Sequence, residues 1–345
     1  MIQRLCAALA VLAICMLSRA PAADPASPTP AKTSVSEPEE RPWPKGNAAT
    51  VNGQPLPEAA VQRVLLRVPK EKHKQLRTEV IDGLVENMLL DQYLQQVKPK
   101  VDQAEVDKRF NEVRDEIKKS GQEIDKVLRE VFLTEKDVKE QIAADLRWED
   151  FLKQKATETV LKDLIAKEPE IVDGSMVRAR HILLTPNLTD TKACEQAQTD
   201  LKQIKADIEK KVNEGLAKLP KDADNLTRER ERQKLIDDAF AAAAKEKSAC
   251  PSKDAGGDVN FFARNGIMVE AFSKAAFALK PFQMSDVIKT QYGYHLILVT
   301  DRKAGTVVKF ETVQEEIKEV YGVRLRNDIV TQVRTQSKIV ITPQQ

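Results

Sequence analysis

The period at which apolar residues recur along this chain changes near residue 170. Before that point, between residues 80 and 155, apolar residues recur three or four positions apart, which is typical of amphipathic helices. Beyond it, the segment 177–184 (VRARHILL) alternates and is rich in branched residues, which predicts a strand. At about 150 residues per domain, the 345 residues also favour two domains. The sequence therefore predicts an α+β protein whose helical region is followed by a region that contains strands.

The N-terminus has the three parts of a secretory signal peptide. Arg4 precedes an apolar run from Leu5 to Leu17, and Ala20-Pro21-Ala22 has the form of a signal-peptidase site. The run is shorter than the roughly 20 residues needed to span a bilayer, so a membrane or lipid anchor, and hence membrane proximity, is the less favoured alternative. We predict a cleaved signal peptide over residues 1–22 and a periplasmic or secreted protein. Residues 23–46 are rich in proline and polar residues and predict a flexible linker.

Residues 47–170 predict a succession of amphipathic helices. Asp102 with Glu105, and Thr134 with Asp137, stand at capping-box spacing before two of the helices. No acidic pair, glycine-rich loop or nucleophile motif is evident in this region. We therefore interpret it as a helical domain whose function would reside in apolar grooves for peptides. The stripes consist of Val80, Ile81, Leu84, Val85, Met88, Leu89 and Tyr93; then Val106, Phe110, Val113 and Ile117; then Val138, Ile142, Leu146 and Phe151.

Charge and cysteine usage exclude several classes of protein. With 55 Lys and Arg against 53 Asp and Glu, the chain has no overall basic field for binding nucleic acid. The four cysteines show no CxxC spacing and the three histidines are scattered, so the sequence predicts no metal site. Cys6 and Cys15 fall within the signal peptide. A disulfide between Cys194 and Cys250 stays open as an alternative.

Two histidine motifs carry a family resemblance. The first is the strand motif RARHILL at 178–184, which contains His181, and the second is Gly293-Tyr294-His295-Leu296-Ile297. Together with the segment between them they resemble the parvulin family of peptidyl-prolyl isomerases over residues 174–304. The region 47–170, which begins near VNGQPL, resembles the N-terminal chaperone region of SurA-like and PrsA-like foldases. This resemblance implies a mostly helical chaperone lobe with an inserted parvulin domain, in which a small antiparallel sheet is surrounded by helices.

In that architecture the C-terminal residues 306–345 complete the helical lobe. The spare branched strand 339–341 is then a candidate to pair with the short strand near Thr50-Val51. Within the parvulin region, residues 193–240 look like a helical hairpin that projects from the domain. The charge run 226–234 (LTRERERQK) predicts a solvated face of this hairpin.

The resemblance assigns two groups of site residues. His181 and His295 would face each other across the sheet, with Thr290 and Cys250 completing a hydrogen-bonded catalytic cluster. The Gly256-Gly257-Asp258 turn would bring Cys250 near the apolar positions. Those apolar positions, which would receive the proline ring or wall its pocket, are Val259, Phe262, Met268 and Phe272.

Each assignment has a structural alternative. The two histidines could be core residues that bridge two strands, and Cys250 could be a small buried hydrophobe. Met268 and Phe272 could be ordinary core residues at the start of a helix.

Three functions from different classes follow. The favoured one is an exported peptidyl-prolyl cis-trans isomerase and foldase, which acts without a covalent step, cofactor or metal on unfolded or nascent exported polypeptides that contain X-Pro bonds. The alternative is a non-catalytic holdase that uses the parvulin fold as a peptide-binding module. A hydrolase using Cys250 and His295 is the least favoured, since Pro251 follows the cysteine directly and no nucleophile motif surrounds it.

The sequence also predicts indifference to phosphate. The loop 185–192 (TPNLTDTK) lacks the arginine cluster of phosphate-selective parvulins, and phosphoserine recognition requires such bidentate donors. The segment 264–272 (RNGIMVEAF) is one residue longer than in the most compact family members.

Overall fold

A computed structural model describes residues 42–343. These residues form two compact units, the first made of 42–157 with 322–343 and the second of 158–321. The predicted signal peptide and almost all of the predicted linker lie outside the described residues. Within 42–343, none of the helices combines the length and the apolar character that crossing a membrane requires.

The strands are β1 (Asn47–Val51), β2 (Gln54–Pro57), β3 (Met176–Leu184), β4 (Asp258–Ala263), β5 (Ile288–Thr290), β6 (Gly293–Lys303) and β7 (Ile339–Ile341). The α-helices are α1 (Glu58–Leu65), α2 (His73–Val97), α3 (Gln103–Lys119), α4 (Ile124–Glu130), α5 (Glu135–Lys155), α6 (Glu158–Lys167), α7 (Thr191–Leu216), α8 (Asn225–Lys247), α9 (Glu270–Ala278) and α10 (Phe310–Arg334). Short 3-10 turns cover Lys70–Lys72, Pro169–Ile171 and Pro251–Ala255.

In the first unit, strands from opposite ends of the described range pair with each other. Its small sheet has the order β2-β1-β7, and Val340 of β7 lies opposite Thr50 of β1. The predicted pairing of these segments is confirmed. A two-residue turn joins β1 to β2, and its residues Asn52 and Gly53 have positive φ values of 52° and 84°, which suit a tight hairpin.

The predicted helix starts of the first unit are also found. Thr134 and Asp137 form a complete capping box at the start of α5. Asp102 caps α3 alone, accepting from the Ala104 N–H, while the Glu105 carboxylate pairs with Lys108 and Arg109. The predicted stripes supply the buried faces, because Val106, Phe110, Val113 and Ile117 of α3 pack with Val127, Val138 and Ile142.

The second unit is a four-stranded antiparallel sheet with helices on both faces. The strand order is β4-β3-β6-β5. On one face, Ile182, Leu296 and Leu298 pack against α7 and α8. On the other face, Val177, Ile297 and Val299 pack against α9 through Phe272, Ala276 and Phe277. Period-two alternation along β3 and β6 therefore divides their side chains between two apolar layers.

The hairpin is longer than predicted and does not stand apart from the domain. Its helices α7 and α8 extend from Thr191 to Lys247, beyond the predicted 193–240. Leu201, Ile208 and Phe240 are buried in the same cluster as the sheet residue Leu296. Apolar residues of both helices therefore share one core with this face of the sheet. Most of the charge run at 226–234 is exposed, as predicted.

The edges of the second unit differ from the predicted boundaries at 170–174 and 304–306. Arg264, whose side chain is 1% exposed, forms an ion pair of 2.9 Å with Glu168, which follows α6. The Thr306 N–H donates to the Asp173 carbonyl at 2.8 Å, and the Lys162 ammonium lies over the Phe310 ring at 5.0 Å. These contacts join residues 158–173 and 304–321 to the sheet domain.

The buried Arg264 leads to a prediction about stability. Its guanidinium also pairs with Glu270 at 2.6 Å and donates to Ser273 Oγ at 2.9 Å. We expect Arg264→Ala to lower the free energy of unfolding by about 3 kcal/mol, because the substitution leaves a cavity and removes the ion pairs of a buried guanidinium. The exposed Arg232→Ala, which breaks a surface pair with Glu229, should cost less than about 1 kcal/mol.

The two units can be followed separately in this experiment. Both tryptophans of the chain, Trp43 and Trp148, lie in the first unit. Tryptophan fluorescence therefore follows the first unit, and circular dichroism follows the whole chain during denaturant unfolding. Equal losses of stability in the two variants would contradict the structural importance of Arg264.

Candidate active site

The two predicted histidines meet across neighbouring strands. In the register of β3 with β6, His181 lies opposite Ile297 and His295 lies opposite Leu183, so the histidines are diagonal neighbours on one face of the sheet. Their Nδ1 atoms are 3.2 Å apart, and the rings stack with centroids 5.4 Å apart and an interplanar angle of 16°. Both side chains are buried, with 6% and 4% exposure.

A hydroxyl group stands at each end of the imidazole pair. Thr290 Oγ1 is 2.8 Å from His295 Nε2, and Ser252 Oγ is 3.2 Å from His181 Nε2. The Tyr292 N–H also donates to Thr290 Oγ1, at 3.1 Å. Because a neutral imidazole has one donor and one acceptor nitrogen and a hydroxyl can act as either, the chain Ser252–His181–His295–Thr290 can be satisfied in both directions. The cluster is thus a continuous hydrogen-bonded row with a reversible polarity.

The structure places Ser252, not the predicted Cys250 thiol, in hydrogen-bonding contact with His181. Cys250 precedes a 3-10 turn that begins at Pro251, and its backbone N–H donates to Ser248 Oγ at 3.2 Å. The turn carries the hydroxyl of Ser252, two residues further along, to the imidazole. The sequence analysis missed Ser252 because the position of its hydroxyl depends on this turn. The only signal in the sequence is that Ser252 lies two residues after Cys250. Cys250 and Cys194 are both free thiols in the structure.

The four predicted apolar residues gather in one cluster at different depths. The Phe272 ring is nearly perpendicular to the rings of His181 and His295, at centroid distances of 5.4 and 5.5 Å. Phe262 lies behind Phe272 at 5.8 Å, and both phenylalanines are buried, with 2% and 3% exposure. Val259 and Met268 are only partly buried against the same cluster. The phenylalanines therefore form a floor, and the valine and methionine present the accessible apolar surface.

Two cavities are lined by residues other than those of this cluster. One, of about 450 Å³, is an open groove between α3 and α5 lined by residues that include Val106, Lys139 and Ala143. The other, of about 250 Å³, lies between the hairpin and the segment 282–284. Within residues 42–343, no group of three or more His, Cys, Asp or Glu side chains is arranged to hold a metal ion.

Burial keeps both imidazoles neutral. Desolvation lowers the pKa of His181 from 6.5 to about 4. The pKa of His295 is also lowered to about 4, mainly by desolvation and to a smaller extent by repulsion from His181. Protonation of both imidazoles is also disfavoured by the geometry, because two protonated Nδ1 atoms cannot form a hydrogen bond with each other. At neutral pH the cluster is therefore uncharged.

These pKa values predict a loss of stability in acid. Between pH 6.5 and 4 the unfolded chain binds protons at these two histidines and the folded chain does not, so stability falls as the pH is lowered through this range. The expected loss is on the order of 3 kcal/mol for each imidazole, fully developed near pH 4. Side-chain NMR titration should give midpoints well below 6.5 for both rings. Midpoints near 6.5 would contradict the buried neutral pair.

Comparison with known proteins extends this picture. A family model described as Rotamase, PPIC-type PPIASE domain, matches residues 211–301, which include Ser252, Thr290 and His295. The strand that bears His181 lies outside the matched range and is joined to it by sheet pairing. The predicted resemblance to the parvulin isomerases is confirmed by this match.

The relatives cover more of the chain. Foldase protein PrsA of Bacillus subtilis (strain 168) is 30% identical over 260 residues, which cover 74% of this chain and 70% of the relative. Foldase protein PrsA of Geobacillus sp. (strain WCH70) is 30% identical over 246 residues, which cover 70% of this chain and 68% of the relative. A crystal structure of peptidylprolyl isomerase (PrsA) from Bacillus anthracis aligns with 76% of this chain and 100% of that chain, at 23% identity and a TM-score of 0.42. On the sequence identity and its coverage, the chain belongs to the PrsA family of foldases and carries a PPIC-type peptidyl-prolyl isomerase domain.

Proposed function

We propose that the protein is an exported foldase that isomerises X-Pro bonds of unfolded polypeptides at the row Ser252–His181–His295–Thr290. The observation that carries the proposal is the Nδ1 contact of 3.2 Å between two buried imidazoles, with Phe272 against both rings. The signal-like N-terminus supports export, and the family supports unfolded proteins as the substrates.

The chemistry requires no covalent step. Rotation about an X-Pro bond has a barrier of roughly 18–20 kcal/mol, because the nitrogen lone pair is delocalised into the carbonyl. Catalysis requires that the site bind the twisted amide more tightly than the planar one. The half-buried Val259 and Met268 offer an apolar contact for the proline ring. The neutral hydrogen-bonded row beside them is a fixed polar environment, in which hydrogen bonds are stronger than in water.

The proposal includes no requirement for phosphate. Arg178 and Arg180, which lie on the strand of His181, are engaged by Asp258 and Asp237. In the loop 185–192, the Asp190 carboxylate caps α7, which places a negative charge there. We expect phosphorylation of the serine in a Ser-Pro peptide to give no gain in kcat/KM, measured by NMR exchange spectroscopy on the paired peptides. A gain of tenfold or more for the phosphopeptide would reveal an anion site and contradict this part of the proposal.

A second candidate is a holdase that binds clients without isomerising them. It is favoured by the depth of Phe262 and Phe272, whose rings are almost completely covered. Two assays on the full chain separate the candidates: isomerisation of an Ala-Pro peptide, and suppression of aggregation of a reduced, unfolded protein. Faster cis-trans isomerisation of the peptide than in the uncatalysed reaction would support the isomerase. Suppression of aggregation together with an isomerisation rate equal to the uncatalysed one would support the holdase.

A further inference from the structure

The hairpin helix α8 touches the turn that carries Ser252. Glycines 256 and 257 of this turn approach the helix so closely that a Cβ on Gly256 would lie 2.8 Å from Ala241 Cβ, and one on Gly257 would lie 3.0 Å from Ala244 Cβ. Asp237 precedes Ala241 by one helical turn, so Asp237, Ala241 and Ala244 form one stripe of α8. A single face of the hairpin thus supports the turn.

An arginine connects the charged end of this stripe to the turn. Arg180 Nε and Nη2 donate to the two carboxylate oxygens of Asp237, at 2.6 and 3.1 Å. Its Nη1 donates to the carbonyl oxygens of Ala255 and Gly256, at 2.9 and 3.2 Å. The side chains of Arg180 and Asp237 are 18% and 30% exposed, so the pair is partly shielded from water. A planar guanidinium held on one edge by a carboxylate has a fixed orientation for its remaining donors.

The turn passes this constraint to the imidazole. The Gly257 N–H donates to the Ser252 carbonyl at 2.8 Å, which closes the turn on itself. The Gly257 carbonyl accepts from the His181 N–H at 2.9 Å, and Ser252 Oγ contacts His181 Nε2. Residues 255–257 therefore connect Arg180 to both partners of the Ser252–His181 contact.

We infer that Asp237 and Arg180 are positioning residues of the isomerase, and that the hairpin serves to hold the Ser252 hydroxyl against His181. This inference rests on the proposed function and extends it to a helix outside the sheet. The two side chains act through the turn at 255–257 and not on the substrate. Loss of their ion pair should lower kcat and leave KM nearly unchanged, since the apolar contact surface of Val259 and Met268 is separate from them.

The test compares Asp237→Asn with Asp238→Asn, the same substitution one position further on, at an exposed residue. Asparagine keeps the shape of Asp237 and removes the charge that orients Arg180. We expect kcat for an Ala-Pro peptide to fall about tenfold in Asp237→Asn, the size of effect that a small misplacement of a site residue produces. Asp238→Asn should match the wild type. Arg180→Lys should behave as Asp237→Asn does, because an ammonium group cannot present the same planar set of donors.

A double-substitution cycle distinguishes positioning from a general loss of stability. If Asp237 acts through Ser252, Asp237→Asn should lower kcat less than twofold further in a Ser252→Ala background. Two multiplicative losses would overturn the inference, as would an unchanged kcat in Asp237→Asn.

A readout independent of activity separates this inference from the proposed function. The ring signals of His181 in side-chain NMR should shift in Asp237→Asn and stay unchanged in Asp238→Asn. If the wild type proves inactive, the proposed function fails, and the NMR comparison alone decides the positioning. Unchanged His181 signals in Asp237→Asn would then overturn the inference.

Discussion

Substitution of Gly257 by alanine is expected to lower the free energy of unfolding of the second unit by at least about 3 kcal/mol. Gly257 has φ +80°, and a Cβ there would overlap the carbonyl oxygen of His181 and lie 3.2 Å from the His181 nitrogen. Both obstacles are backbone atoms of β3, so neither can move without breaking strand pairing. The cost therefore combines left-handed strain with a displacement of the strand that carries the site.

Gly174 provides the matched control for this prediction. Its φ of +76° is nearly the same, but a Cβ there would have no neighbour within 4 Å. Gly174→Ala should cost only the left-handed strain, about 1–2 kcal/mol. Denaturant unfolding followed by circular dichroism measures both. Equal losses would mean that the close contact with His181 adds nothing.

The second large effect is on catalysis. His295→Ala is expected to lower kcat/KM for an Ala-Pro peptide about 100-fold, because it interrupts the row between His181 and Thr290 and admits water beside Phe272. In this variant, Thr290 Oγ1 and His181 Nδ1 both lose their hydrogen-bond partner, the imidazole of His295. The effect should appear mainly in kcat, since the accessible apolar surface for the proline ring is intact.

The third histidine supplies the control for this variant. His73 lies in the first unit, where its Nε2 is 2.8 Å from the Val68 carbonyl oxygen. His73→Ala should retain the isomerase activity of the wild type. Circular dichroism must first confirm that His295→Ala is folded. A folded His295→Ala with wild-type kcat/KM would show that the imidazole pair is only a bridge between strands.

The family resemblance of short motifs led to the prediction of the histidine pair and of the closure of the first unit. His181 and His295 stand in short motifs on two strands, and pairing of those strands leaves them only a diagonal apart. The branched segment at Ile339 pairs with the edge of β1 that β2 leaves open. In both cases the local pattern indicated a strand, and the architecture of the resembling family indicated its partner.

Other features depend on long-range contacts that no local sequence pattern predicts. Ser252 contacts His181 because a 3-10 turn begins at Pro251. Arg180 forms an ion pair with Asp237, which lies on a helix distant in the sequence. The start of the second unit at Glu158 likewise depends on the long-range pair of Glu168 with Arg264. Charged residues of this kind look like solvated surface in the sequence, and only the tertiary structure brings them together.

Side-chain NMR of histidine-labelled protein during titration with an Ala-Pro peptide tests whether the X-Pro bond is isomerised at the histidine pair. The chain has three histidines, so the spectrum is simple. We expect the ring signals of His181 and His295 to shift and broaden as the peptide exchanges between its cis and trans forms, while those of His73 stay unchanged. Accelerated exchange of the peptide with unchanged His181 and His295 signals would contradict a site at the histidine pair, because the X-Pro bond would then be isomerised elsewhere.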